Sequence, residues 1–237
     1  MKDWRLIYII FAKSEDKLYI SNKNRQAYFV LLSVCIIFVR INLKNCNVMF
    51  DKETYVQRRA LLKKNIGSGV LLFLGNDEQG LNYEDNAFRY RQDSTFLYYF
   101  GLSFAGLSAI IDIDEDKEII FGDELTIDHI VWMGTQPTLK EKSERVGIRE
   151  TLPSVAIISY LHKAVQKGQT VHYLPPYRPE HKLKLMDWLG IPPARQEGSV
   201  PFIRAVVAQR NYKSAEEIAE IEKACDVTAD MHIKAME

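Results

Sequence analysis

The hydrophobic pattern first becomes regular at Asp51 to Ile66. Apolar or aromatic residues on or near one helical face are Tyr55, Leu61, Leu62 and Ile66. The basic residues that this arrangement leaves to water are Arg58, Arg59, Lys63 and Lys64. The pattern predicts an amphipathic helix, and the Gly67-Ser-Gly69 segment that follows is expected to end it.

Short apolar runs between turn residues follow this helix. Those that predict strands are Val70–Leu74, Phe96–Phe100, Ser108–Ile113, Glu118–Phe121, Ile130–Met133 and Thr170–Leu174. Asp114–Asp116 predicts a hairpin turn between two of them. Helices are predicted over Ser154–Gln166 and Glu180–Leu189, each followed by glycine. The fold class is therefore α/β, a mixed β-sheet flanked by helices.

The last helical pattern begins at Ser214, which forms an S-x-x-E capping box with Glu217. Its apolar stripe contains Ile218, Ile221, Cys225, Thr228, His232 and Ala235. Cys225 is expected to be a small buried hydrophobe. Because the pattern continues to Glu237 without a stop signal, we expect a truncated product, whose uncovered stripe predicts self-association or a frayed helix.

Residues 1–48 differ in composition from the rest of the chain. All 12 Gly and 8 Pro lie after them, and they hold 8 Lys+Arg against 3 Asp+Glu. Their apolar run, Ala27–Val39, is shorter than the roughly 20 residues that span a bilayer. We expect a non-domain extension, upstream of a start at Met49 or poorly ordered; a targeting segment is the alternative.

The composition of the whole chain excludes several classes of protein. With 31 Lys+Arg and 31 Asp+Glu the formal charge is zero, which predicts neither a nucleic-acid partner nor a membrane partner. Three cysteines without a paired spacing favour a reducing compartment, the cytoplasm. Signatures of nucleotide-binding loops, serine hydrolases and zinc peptidases are missing.

Three local groups remain as candidates for chemistry. Asp112, Asp114 and Asp116 have calcium-loop spacing, but Lys117 replaces the required Gly, so solvated hairpin carboxylates are the better interpretation. The segment Arg89–Ser94 either locks a loop through arginine–carboxylate bonds or lines a cleft or subunit contact. Trp132 belongs either to the core or to an interface.

Several segments in order resemble one family. Phe88-Arg-Tyr-Arg-Gln-Asp-Ser-Thr-Phe-Leu-Tyr-Tyr-Phe-Gly101 resembles the signature [FY]-R-x-[ND]-S-x-F-x-Y-x-x-G in the amino-terminal domain of Xaa-Pro aminopeptidases. The 55–62 helix, the 69–74 strand and Val131-Trp-Met-Gly134, similar to a Trp-x-Gly strand end, fit the same family. Lys213–Ile218 resembles the helix that opens its catalytic domain.

The resemblance implies a two-domain metallopeptidase of the creatinase and prolidase type. Residues 49–212 would form the amino-terminal domain, with a ribonuclease H-like motif, and 213–237 the first helix of a truncated pita-bread domain. That domain holds two metal ions, usually Mn²⁺, on two Asp, one His and two Glu, and a bridging hydroxide attacks the bond before proline. None of these ligands can be assigned here, so the chain alone is expected to be inactive.

The resemblance also implies roles for single residues and for partners. Trp132 would contact substrate in a neighbouring subunit, and Arg89, Arg91 and Asp93 would be structural or interface residues. The complete enzyme would be a homodimer or homotetramer that takes peptides with proline at the second position. A non-catalytic peptide- or protein-binding module and a prolidase remain the alternatives.

Overall fold

A computed structural model describes residues 48–83, 86–134 and 136–237. The extension predicted over residues 1–48 lies outside the described residues except for Val48. The helices are α1 Lys52–Ile66, α2 Ser94–Phe100, α3 Ile127–Met133, α4 Leu139–Glu144, α5 Ala156–Gln166, α6 Pro179–Leu189, α7 Val200–Asn211 and α8 Ala215–Met236. The strands are β1 Val70–Leu74, β2 Ser108–Asp112, β3 Lys117–Phe121, β4 Glu150–Leu152 and β5 Val171–Tyr173, and a 3₁₀ turn covers Pro193–Arg195.

The five strands form one mixed sheet in the order β4-β3-β2-β1-β5. Strand β2 is antiparallel to both of its neighbours, with Ile110 opposite Leu72 on one side and Ile119 on the other. The outer strands pair in parallel, β5 with β1 and β4 with β3. The carboxyl ends of β1, β3, β4 and β5 therefore all lie at the same end of the sheet. The predicted mixed α/β fold is confirmed.

Alternate residues of the strands face two separate hydrophobic layers. Leu71, Phe73, Ala109, Ile111 and Ile120 pack with the buried residues of α1, α2 and α7. On the other face, Val70, Leu72, Ile110, Ile119 and Phe121 pack with α5 and α6. Helices therefore cover both faces of the sheet, as expected for strands that are buried on both sides.

Helix α1 ends at the predicted Ile66 and begins one residue after the predicted Asp51, but its basic residues do not all face water. Arg59 is completely buried and donates from Nε to Glu118 at 2.7 Å. Its two terminal nitrogens donate to the carbonyls of Tyr99 and Val146, each at 2.9 Å. Burial is tolerated because the guanidinium meets an opposite charge and carbonyl acceptors together. This arginine thus connects α1 to α2, to β3 and to the segment before β4.

Two predicted strands are helices instead. In α2, the carboxylate of Asp93 accepts from the backbone N–H groups of Thr95 and Phe96, both at 2.9 Å. Gly101 ends this helix with φ +63°. In α3, Gly134 has φ +76° and donates to the carbonyl of Ile130 at 2.9 Å. Capping and left-handed glycines override the β-propensity of these aromatic and branched residues.

The capping box predicted for Ser214 and Glu217 is present at the start of α8. The first turn of α8 contacts α1, where Glu216 accepts from the Thr54 hydroxyl at 3.0 Å and Glu217 lies 3.5 Å from Arg58. Cys225 is exposed, so the expectation that it is buried is wrong, because no other described element covers that part of the helix. Among the described residues no helix is both long and apolar enough to cross a membrane.

Candidate functional site

The loop between β1 and α2 is organised by an amide, Gln92, which is 3% exposed. Its Oε1 accepts from the backbone N–H groups of Asn76, at 2.8 Å, and Asp93, at 2.9 Å. Its Nε2 donates to the carbonyls of Leu102, at 3.2 Å, and Phe104, at 3.0 Å. One buried side chain therefore joins the end of β1 to both flanks of α2.

The neighbours of Gln92 add hydrogen bonds that hold the same loop in place. We call the network formed by the side chains of Asn76, Tyr90 and Gln92 with their backbone partners the lock. Asn76 donates from Nδ2 to the carbonyl of Arg91 at 2.8 Å, and the Tyr90 hydroxyl donates to the carbonyl of Phe104 at 2.9 Å. Burial, with the nearby carboxylate of Asp77, raises the pKa of Tyr90 above its usual range. The phenol therefore remains a protonated donor even at alkaline pH, where an exposed tyrosine begins to ionise.

The two arginines of this segment are not part of the lock. Arg89 and Arg91 are exposed, and neither forms an ion pair with another described residue. The expected arginine–carboxylate bonds are thus not formed within residues 48–83, 86–134 and 136–237, because Gln92 and Asp93 satisfy the loop's backbone groups instead. The assignment of Arg89, Arg91 and Asp93 as structural or interface residues stays a prediction.

Trp132 lies on α3 and is 75% exposed, which excludes the core alternative. Three further apolar side chains of this helix are also exposed: Ile127, Ile130 and Val131. We call these four residues the α3 apolar surface. Exposed apolar groups this close together are typical of an interaction site. The role of Trp132 in substrate contact stays a prediction.

The hairpin carboxylates have protein partners. Asp112 is 1% exposed, not solvated, and accepts from the Tyr160 hydroxyl at 2.9 Å and from Nε2 of Gln169 at 3.0 Å. Asp114 accepts from the Gly69 N–H, and Asp116 pairs with Lys63. Among the described residues no group of three or more His, Cys, Asp or Glu side chains could hold a metal ion. Within residues 48–83, 86–134 and 136–237, therefore, no cluster fits the two-metal centre of the resembled family.

A cleft that sequence analysis missed lies where the parallel strands end. It is lined by Asp77 after β1, Asp123 after β3 and Ser154 after β4, together with Ser108, Lys184 and Trp188. We call it the strand-end cleft. Ligands of open α/β sheets characteristically bind beyond the carboxyl ends of strands. Polar residues one to three positions after β1, β3 and β4 were the available signal, but β4 is not an apolar run and the signal needed the strand order to be interpreted.

Comparison with known proteins identifies the family of the matched segment. A model of the aminopeptidase P N-terminal domain matches residues 55–173, half of the chain. A probable Xaa-Pro aminopeptidase of Chaetomium globosum is 29% identical over 168 residues, which cover 69% of this chain and 27% of that protein. The Xaa-Pro dipeptidase of Homo sapiens is 33% identical over 90 residues, or 37% of this chain and 18% of that enzyme.

Solved structures share the fold. Pseudomonas aeruginosa aminopeptidase PepP superposes with a TM-score of 0.67 at 24% identity, covering 80% of this chain and 45% of that one. Zinc-substituted Escherichia coli aminopeptidase P in complex with product has a TM-score of 0.61 at 22% identity, covering 79% and 45%. The chain thus spans less than half of the length of each of these proteins. From the family match and the mixed sheet together, we conclude that this chain belongs to the aminopeptidase P N-terminal domain family.

Proposed function

We propose that this chain is the oligomerising and cleft-forming domain of a cytoplasmic Xaa-Pro aminopeptidase. The complete enzyme removes an N-terminal residue that precedes proline and uses two metal ions, Mn²⁺ by preference. In this proposal the metal ligands belong to the family's catalytic region. The 237-residue chain alone is then inactive. The family match over residues 55–173 is the observation that carries this proposal.

The α3 apolar surface supports the assembly part of the proposal. It exposes an indole together with three aliphatic side chains on a seven-residue helix. Tryptophan is enriched among the residues that dominate binding energy at interfaces. In the proposed oligomer this surface meets a second subunit, and Trp132 forms one wall of the substrate cleft there.

A hydrolysis assay tests the catalytic proposal. The 237-residue chain, and the same reading frame continued beyond Glu237, are each incubated with a tripeptide carrying proline at position two and with added Mn²⁺. Metal-dependent release of the first residue by the longer protein only is the expected result. A peptide with alanine in place of proline is the control and should remain intact.

The result that contradicts the catalytic proposal is the absence of cleavage by the longer protein with any divalent metal. Cleavage confined to dipeptides would instead identify a prolidase, the activity named for the human relative. If the longer reading frame lacks the two Asp, one His and two Glu ligands, the catalytic proposal is contradicted as well.

The second candidate function is a non-catalytic module that binds peptides or proteins. The exposed apolar residues of α8, among them Ile218, Ile221 and Met231, favour it because they offer a long surface to a partner. Saturable binding of a proline-containing peptide without hydrolysis, measured by fluorescence anisotropy, would identify such a module. Hydrolysis would exclude it.

A further inference from the structure

The strand-end cleft has the size of a small-molecule site and encloses about 370 Å³. Ligand pockets commonly range from about 300 to 1,000 Å³. Three separate strand ends and helix α6 contribute to its walls, so its shape is determined by the rigid sheet rather than by one mobile loop. None of its residues takes part in the proposed oligomer surface or in the lock around Gln92.

The lining of the cleft includes a nearly buried serine. Ser108 begins β2 and is 4% exposed, and it lines the cleft. No hydrogen bond joins its hydroxyl to another described residue, and its Oγ is not among the fully buried unpartnered atoms, so this oxygen is open to the cleft. A molecule that enters the cleft can therefore reach a hydroxyl that both donates and accepts.

Charged groups stand on two walls. Lys184 Nζ lies 2.8 Å from Asp77 Oδ1 and 2.7 Å from Oδ2, and both side chains are partly exposed. On the other wall, the Asp123 carboxylate accepts from the Ser154 N–H at 3.0 Å and from its hydroxyl at 2.6 Å. Two carboxylates against one ammonium leave one net negative charge. Because carboxylates can accept about four hydrogen bonds, both retain capacity for a further donor.

Apolar side chains contribute to the same lining. Phe121, Ile158 and the indole of Trp188 line the cleft. A protonated amine is attracted both by the net negative charge and by an aromatic face. An apolar group attached to that amine would gain from burial against the same side chains.

From this arrangement we infer that the strand-end cleft binds a small molecule in which a primary ammonium group adjoins an apolar side chain. The ammonium donates to Asp123 and Asp77, and the Ser108 hydroxyl meets a neighbouring polar atom. A free apolar amino acid and the N-terminus of a peptide both have this chemistry. The inference does not depend on the proposed peptidase role, because it rests on the cleft alone.

Titration by NMR on the full chain tests the inference with leucinamide as the probe. We expect the indole N–H signal of Trp188 to shift in a saturable manner, while that of Trp132 on α3 remains fixed as the internal reference. N-acetylleucinamide has the same side chain without the charge, and its affinity should be lower by a factor of at least about 10. Equal shifts with both compounds, or none at about 50 mM leucinamide, would overturn the inference.

Substitutions then locate the ammonium. Asp123→Asn can still accept from the Ser154 N–H but removes one charge, and should weaken leucinamide binding about 10-fold. Asp51→Asn is the matched control, since Asp51 is exposed and its side chain forms no cap hydrogen bond. Ser108→Ala should weaken leucinamide binding about threefold. This second variant tests the site even if Asp123→Asn impairs folding. Unchanged affinity in both cleft variants would refute the site.

The two sources of the ligand are distinguished by the carboxyl end of the probe. Leucine that binds as well as leucinamide supports a free amino acid, because the site then tolerates the carboxylate. A Leu-Pro amide that binds at least about 10-fold tighter than leucine supports a peptide N-terminus. Hydrolysis activity in the longer protein has no bearing on either outcome, so failure of the peptidase proposal and failure of this inference are separate results.

Discussion

Helices α2 and α3 have the same length and a similar character but opposite environments. Each contains seven residues, rich in the branched and aromatic types that favour strands, and each is a helix. In α2, Phe96, Tyr99 and Phe100 are completely buried. In α3, Trp132 and its apolar neighbours are exposed.

The difference separates two questions that sequence patterns combine. Secondary structure in both segments follows from helix-ending glycines, Gly101 and Gly134, and in α2 also from the cap by Asp93. Burial follows from the rest of the chain, since α1 and α7 cover α2 in the same hydrophobic layer. Apolar residues in a helix therefore predict a contact, but the partner can belong to the same chain or to another molecule.

Truncation of an α2 aromatic should have the largest effect on stability. The Phe100 ring packs edge-on against Phe73 at 5.0 Å between centroids and lies 4.9 Å from Phe96. We expect Phe100→Ala to lower the free energy of unfolding by about 3–5 kcal/mol, measured by urea denaturation. Val131→Ala in α3 is the control and should change it by less than about 0.5 kcal/mol. Similar losses in both variants would contradict the contrast between the helices.

The glycines that end the two helices provide a matched pair. A Cβ on Gly101 would lie 2.5 Å from Cζ and 2.7 Å from the hydroxyl oxygen of buried Tyr55, whereas one on Gly134 would meet nothing within 4 Å. Both have positive φ, which costs a non-glycine residue about 1 kcal/mol. Gly101→Ala should therefore destabilise by about 2–4 kcal/mol, because overpacking adds to the strain. Gly134→Ala should cost only about 1 kcal/mol by thermal or urea unfolding, and equal costs would refute the difference in packing.

Loss of the α2 cap should have a smaller effect. Asp93→Ala removes the acceptor for two backbone N–H groups, which typically costs about 1 kcal/mol. Asp93→Asn retains an acceptor oxygen and is expected to recover most of that loss. Hydrogen exchange of the Thr95 and Phe96 amides reports the cap directly, since their protection should fall in the alanine variant. Unchanged protection would show that the carboxylate is dispensable.

Much of the fold could be predicted from the sequence because its signals are local. The first helix, the β2–β3 hairpin, helices α5 and α6 and the capping box of α8 all follow from spacing and turn residues. Strand β4 and helices α4 and α7 were not predicted. Arg59 shows a limit of the same reasoning, because a polar residue on a helix indicates exposure unless three distant acceptors converge on it.

The candidate sites also differ in how far local sequence patterns reveal them. Trp132 and Arg89–Ser94 stood out as local motifs, but the residue that locks the loop is Gln92, which spacing alone does not distinguish from its neighbours. The strand-end cleft combines residues from 77 to 188 and became recognisable only with the strand order. Such a site depends on contacts between segments far apart in sequence.

Trp132→Ala should have the smallest effect on folding and a clear effect on association. Because the indole is 75% exposed, its removal should change the free energy of unfolding by less than about 0.5 kcal/mol. In the proposed oligomer the same indole is buried, and loss of a central tryptophan commonly costs about 2 kcal/mol or more of binding energy. Sedimentation velocity over a concentration series should therefore show association weakened at least about 10-fold, seen as a higher dissociation constant.

The matched control is Tyr212→Ala, which removes an aromatic side chain that is 84% exposed at the end of α7. It should leave both stability and association unchanged. If the wild-type chain and Trp132→Ala sediment alike at every concentration, the α3 apolar surface does not hold two copies of this chain together. If Trp132→Ala instead loses as much free energy of unfolding as Phe100→Ala, the indole packs within its own chain. The proposed contrast between a buried α2 and an exposed α3 would then be wrong.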